Sequence, residues 1–91
     1  MKKVALISGV SSGIGNATAK VFSQKGWHVI GVARKNVSAI DGVSHYIRGD
    51  VSNVSDISHI FDEIRSNEGR IDVLINNAAI QICKPIIEMS V

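Results

Sequence analysis

What this chain lacks narrows the question first. It has one cysteine, Cys83, so no internal disulfide can form. Cys83 has neither a neighbouring thiol nor a histidine at metal-ligand spacing, which fits a small buried hydrophobe better than a ligand. A lone free thiol also points to a reducing, cytoplasmic setting. No run of like charge exceeds two residues, and ten basic against eight acidic side chains leave a net charge of +2. The charge pattern offers no footprint for nucleic acid or an anionic membrane. No apolar run approaches the ~18 residues of a membrane span. Lys2-Lys3 before "VALISGV" is a poor signal peptide, because Ser and Gly break the apolar run too soon. Repeats and low-complexity segments are absent as well.

What is present fits one small globular domain. The chain has 91 residues, 45% apolar and 20% charged. Its Val and Ile content argues against disorder. A domain of this size buries only about 60 to 65% of its unfolded surface, so its stability margin is thin.

The apolar pattern predicts alternating strands and helices. "KVALISG" (3–9) is a continuous β-branched run that reads as a strand buried on both faces, the kind found in parallel sheets. A helix follows over about 13–25, with Ile14, Ala17, Thr18, Val21 and Phe22 on one apolar face and Gly26 as its stop. "WHVIGVA" (27–33) is a second buried strand. The stretch 34–43 has room for two helical turns at most. "SHYIRGDV" (44–51) is a third strand. The clearest helix follows, with Ile57, Ile60, Phe61 and Ile64 on one face, Asn53 as N-cap paired with Asp56, and Gly69 at its end. "IDVLINNA" (71–78) is a fourth strand. Strands alternating with crossovers predict a doubly wound, parallel α/β sheet; if it is a dinucleotide fold of Rossmann type, the strand order expected is 3-2-1-4.

The densest signal is "SGVSSGIG" (8–15), with three glycines between the first strand and the first helix. At that place Gly9 allows a tight turn out of the strand. Gly13 lets the backbone come close to a pyrophosphate, and Gly15 lets the helix pack without a Cβ in the way. The helix start offers free N–H groups and partial positive charge to phosphates. A P-loop is excluded, because no Gly-Lys-Ser/Thr follows. A plain glycine-rich turn remains the competing reading of the motif alone. After the second strand, Ala33 stands where an acidic residue would bind a ribose 2′-hydroxyl, and Arg34 can present its fork to a 2′-phosphate instead. Ser11 and Ser12 could add hydroxyl contacts, and Lys35 a point charge. The competing reading of Arg34 is a solvated loop arginine. Asp50 can simply cap its own turn. The amide of Asn77 can tie adjacent strands. His28, His45 and His59 are scattered over separate elements and read as surface or sheet residues.

The spacing G-x3-G-x-G, with "GDV" (49–51), "NNAA" (76–79) and "KPIIEMS" (84–90) following in order, resembles the short-chain dehydrogenase/reductase family across the whole chain. Ser8 stands for that family's usual Thr, and Ala79 for a glycine. The resemblance implies cofactor contacts from Gly9, Ser11, Ser12, Gly13, Ile14, Gly15, Arg34, Lys35, Asp50, Val51, Asn77, Ala78 and Ala79. In it, Asp50 and the Val51 N–H meet the adenine, and the cofactor is NADP rather than NAD. It also implies that residues 1–91 are the cofactor-binding half. The family's catalytic Ser, Tyr and Lys belong to elements beyond the fourth strand. Tyr46 has Asp50, not Lys, four residues on, so no catalytic residue is assigned. Three readings follow: an NADP-dependent oxidoreductase, a nucleotide-binding module without catalysis, and a fragment that binds nothing. The chain alone is expected to bind NADP weakly and turn nothing over. An apolar fourth strand at a sheet edge is also expected to drive self-association.

Overall fold

The computed structural model describes residues 2–11 and 13–77. Four parallel strands form one sheet: β1 (Val4–Ser8), β2 (His28–Ala33), β3 (His45–Arg48) and β4 (Val73–Asn76). Their order is β3-β2-β1-β4, so the chain winds outward from β1 to β3 and then returns to β1's other side. Helices α1 (Gly13–Gln24) and α2 (Val54–Asn67) complete the crossovers. In the register, Ala5 of β1 faces Val29 of β2 on one side and Val73 of β4 on the other.

Alternation along β1 and β2 splits the core into two layers. Ala5, Ile7, Val29 and Ala33 pack with Val10 and Ala19 on the α1 side. Val4, Leu6, Ile30 and Val32 pack with Ile47, Ile60 and Ile64 on the α2 side. Because both faces are covered, all five residues of β1 are buried. Every residue of β4 is only half-buried.

Both helices stop as expected. Gly26 (φ 86°) and Gly69 (φ 74°) adopt the left-handed conformation. The Trp27 N–H reaches back to the Phe22 carbonyl at 3.1 Å, which closes the first helix. One expectation is corrected. The face of α1 that meets the sheet is the row of Gly15 and Ala19, with Phe22 half-buried. Ile14 is 77% exposed and Val21 48%, and Ala17 is also exposed. Small residues permit the closest approach, so they, and not the larger apolar ones, set the rotation of the helix. The stretch 34–43, with room for two turns at most, forms no helix. It crosses as a loop whose Ile40 and Val43 pack on the α1-side core.

Candidate cofactor-binding site

The C-terminal ends of the strands gather the residues that the sequence singles out. Gly9 (φ 72°) and Gly13 (φ 51°) both adopt positive φ, a conformation that other residues rarely take. Gly15 has a different constraint. A Cβ there would run into the Gly9 carbonyl, so the first turn of α1 sits directly on the end of β1. A Cβ at Gly13 would meet nothing within 4 Å, so open space lies beside it. The first N–H groups of α1 have no partner within the helix, and they are delivered to this spot. Ser11 is half-buried in the same turn. Ser12 lies outside the described residues, as do Ala78 and Ala79.

The glycine turn is moored to β2. The Gly9 N–H donates to the Val32 carbonyl at 2.7 Å, two residues before Arg34. Val10 is wholly buried beneath the turn. It fits there because residue 31 is glycine: a Cβ on Gly31 would lie 2.8 Å from Val10 Cγ2 and 2.9 Å from Val43 Cγ1. A glycine inside a buried strand signals such an approach, and "HVIGVA" carries that signal in the sequence.

Arg34 and Lys35 are exposed just past β2. Arg34 lines a shallow cleft of about 380 Å³ together with Arg48, Gly49, Asp50 and Asp56. Asp50 serves its own turn: its Oδ1 accepts from the Ser52 hydroxyl at 2.6 Å and from the Ser52 N–H at 2.9 Å. These bonds, led by the hydroxyl and aided by the charge of Arg34, hold the Asp50 carboxyl below its ordinary range. Val51 is half-buried against the α2-side core. The cap of α2 is built by Asn53 and Asp56, but not as a closed reciprocal pair. The Asp56 N–H donates to Asn53 Oδ1 at 3.1 Å, while the Asp56 carboxylate accepts from the Asp50 N–H at 2.8 Å. Asp56 therefore ties the cleft floor to the helix.

At β4, Ser8 and Asn76 perform the tie expected of Asn77's side chain. The Ser8 hydroxyl donates to Asn76 Oδ1 at 2.7 Å and accepts from the Asn77 N–H at 3.1 Å. Asn77 joins the strands through its backbone, and its side-chain Nδ2 is buried with no partner among the described residues. A buried donor left unmatched is costly, so this atom marks a place that suits a ligand oxygen. The pairing of "S" in "SGVSSG" with "NN" in "NNAA" could be found only by knowing that β1 and β4 are neighbours.

Glycines at positive φ, free helix-start N–H groups and a cleft edged by Arg34 and Arg48 beside them suit an extended anion with a sugar attached. The short chain dehydrogenase family model matches residues 3–91. This chain belongs to the short-chain dehydrogenase family. It is 40% identical over 80 residues to a 3-ketodihydrosphingosine reductase of Bacteroides thetaiotaomicron, with 88% of this chain and 29% of that protein covered. It is 40% identical over 85 residues to the 3-oxoacyl-acyl-carrier-protein reductase FabG of Haemophilus influenzae, covering 86% of this chain and 35% of that enzyme. The chain thus spans about a third of the length of these curated relatives. Among solved structures, YwfH, an NADPH dependent reductase involved in bacilysin biosynthesis, superposes with TM-score 0.75 at 25% identity, covering 99% of this chain and 45% of that one. The NADH-dependent reductase A1-R′, solved with NAD, shares the fold with TM-score 0.73 at 24% identity, covering 82% and 35%.

Proposed function

We propose that this short-chain dehydrogenase chain binds NADP(H) across the C-terminal ends of β1 and β2, as the cofactor-binding part of an oxidoreductase. The observation that carries this reading is the turn at Gly9–Gly15, held at positive φ and moored to Val32 beside Arg34. In the proposed pose the diphosphate rests on the N–H groups at the start of α1, with Gly13 open to it. Ser11, Ser12 and Ile14 border the same turn. Arg34 and Lys35 face the 2′-phosphate, and Ala33 supplies no carboxylate to repel it. Asp50 and the Val51 N–H meet the adenine edge, and Asn77, Ala78 and Ala79 line the ribose side. NAD would leave Arg34 without its anion, so it is the weaker ligand.

When bound, the nicotinamide supplies a hydride for exchange with an alcohol or carbonyl substrate. The catalytic Ser, Tyr and Lys that the family resemblance implies are not assigned to any residue here. Tyr46 serves the fold instead, since its hydroxyl lies 2.6 Å from the Lys35 carbonyl. Burial, opposed only in part by Arg48, raises its pKa further.

The reading extends to assembly and place. β4 is an edge strand among the described residues, and we propose that its outer edge pairs with a second copy. No described helix is long and apolar enough to cross a membrane, and a cytoplasmic setting fits the proposed chemistry.

Backbone amide NMR tests the cofactor site. Titrating NADPH should shift the Gly9, Gly13, Gly15 and Arg34 signals and leave His28 and Glu68, at the opposite end of the sheet, in place. Shifts confined to other surfaces, or none at millimolar NADPH, would remove the reading.

A further inference from the structure

The β3 strand holds the loop that carries Arg34 by three consecutive carbonyls. The Ala33 carbonyl accepts from the Gly49 N–H at 2.8 Å. Arg48 Nε donates to the Arg34 carbonyl at 3.2 Å. The Tyr46 hydroxyl lies 2.6 Å from the Lys35 carbonyl and 3.1 Å from that of Ala33, and its single proton serves one at a time. In the strand register Ala33 stands directly beside Arg48. The two guanidinium groups therefore come from neighbouring strand ends into one cleft.

That arrangement sets two guanidinium groups and two carboxylates, Asp50 and Asp56, around one cleft. Two permanent cations border the cleft, and neither Arg34 nor Arg48 forms an ion pair among the described residues. Asp50 and Asp56 take their hydrogen bonds from Ser52 and from the Asp50 N–H, so neither carboxylate occupies the terminal nitrogens of the arginines, although the charge of Arg34 is felt by Asp50. With Nε fixed on a carbonyl, Arg48 keeps its two terminal nitrogens to offer. A phosphate monoester has three acceptor oxygens and a charge near −2, enough for two guanidinium forks.

We propose that Arg48 is a second specificity-determining residue, gripping the adenosine 2′-phosphate jointly with Arg34. This rests on the NADP reading above. Arg48 contributes a direct charge-assisted bond and also props the Arg34 backbone, so the two arginines act as one unit. Their effects on selectivity should be less than additive when both are removed.

The test is calorimetric titration of the full chain and of Arg34→Ala, Arg48→Ala, Arg48→Lys and the double variant with 2′,5′-ADP and 5′-ADP. The wild type should prefer 2′,5′-ADP. Arg48→Ala should weaken 2′,5′-ADP about tenfold and 5′-ADP less than twofold. Arg48→Lys should recover part of the loss, and the thermal midpoint of each variant reports whether it is folded. If the wild type prefers 2′,5′-ADP and Arg34→Ala abolishes this while Arg48→Ala does not, the joint grip is refuted and the NADP reading stands. If the wild type shows no preference, both fall. Equal losses for the two ligands in a folded Arg48→Ala would reduce Arg48 to a structural prop and overturn the proposal.

Discussion

The two ends of the sheet are finished differently. At the N-terminal end, side chains tie down the starts of β1, β2 and β3. The Asp72 carboxylate accepts from the Val4 N–H at 2.7 Å, and the Ser44 hydroxyl accepts from the Val29 N–H at 3.1 Å. Glu68, its side chain only 7% exposed, places one oxygen 2.7 Å from both His28 and His45, and His45 reaches Glu63 at 2.9 Å. At the C-terminal end the chain leaves through glycines at positive φ, a buried unmatched amide and two unpaired arginines. Each end leaves one buried polar atom unmatched among the described residues, Glu68 Oε1 at the first and Asn77 Nδ2 at the second, but only the second sets it beside glycines at positive φ and arginines outside any ion pair. Where local satisfaction is incomplete in an otherwise consistent fold, function is the physical reason to look for.

The comparison can be broken most severely at Gly15. Gly15→Ala drives a methyl into the Gly9 carbonyl, which is backbone and cannot step aside as a side chain would. The expected loss is about 3 kcal/mol in urea unfolding, the upper range for overpacking, with cofactor binding lost as well. A cost below about 1 kcal/mol would mean that the turn is not so tightly seated. The next effect is smaller. Ser8→Ala removes the hydroxyl that bonds Asn76 Oδ1 and the Asn77 N–H, for an expected cost of about 2 kcal/mol by the same assay. An unchanged midpoint would show that the β1–β4 tie is dispensable.

The smallest effect sharpens the contrast from the N-terminal end. Burial opposes the charge on His45, but its hydrogen bonds to the Glu63 and Glu68 carboxylates, with their charges, outweigh it and raise its pKa above 6.5. A raised value stabilises the folded chain below pH 6.5, and the gain is lost as pH climbs through the folded value. Thermal midpoints should therefore fall between about pH 6 and about pH 8, and His45→Gln should flatten that slope. Hydrogen bonds from Arg70 and the Val4 N–H hold Asp72 below its ordinary 3.8, so its contribution disappears only in acid, below that value. A wild-type slope of the opposite sign near neutrality would contradict the assignment.

Much of this was legible because period and punctuation agree. β-branched runs closed by Gly9, Gly26 and Gly69 mark strand and helix ends, and the dinucleotide-fold reading of the glycine turn gives the observed strand order 3-2-1-4. The observed strands are shorter than their apolar runs, β3 ending at Arg48 and β4 spanning only Val73–Asn76, because pairing and not hydropathy sets their length. The face of α1 was misleading. Ile14, Ala17 and Val21 carry the apolar signal, but Gly15 and Ala19 allow the closest packing. Contacts between distant segments were beyond reach of local pattern: Ser8 with Asn76, Val10 over Gly31, and Glu68 between His28 and His45. The three histidines looked scattered, yet the sheet brings two of them to one carboxylate, and His59 lies 3.3 Å from Glu63.

On the proposed reading, main-chain donors at the start of α1 and the arginines of the cleft past β2 together hold a 2′-phosphorylated dinucleotide. Isothermal titration of the 91-residue chain with NADP+ and NAD+, repeated for Arg34→Ala, tests it most directly. The account predicts at least tenfold tighter binding of NADP+, falling to near parity in the variant while NAD+ affinity holds. Equal affinities in the wild type, or a preference that survives loss of Arg34, would contradict it.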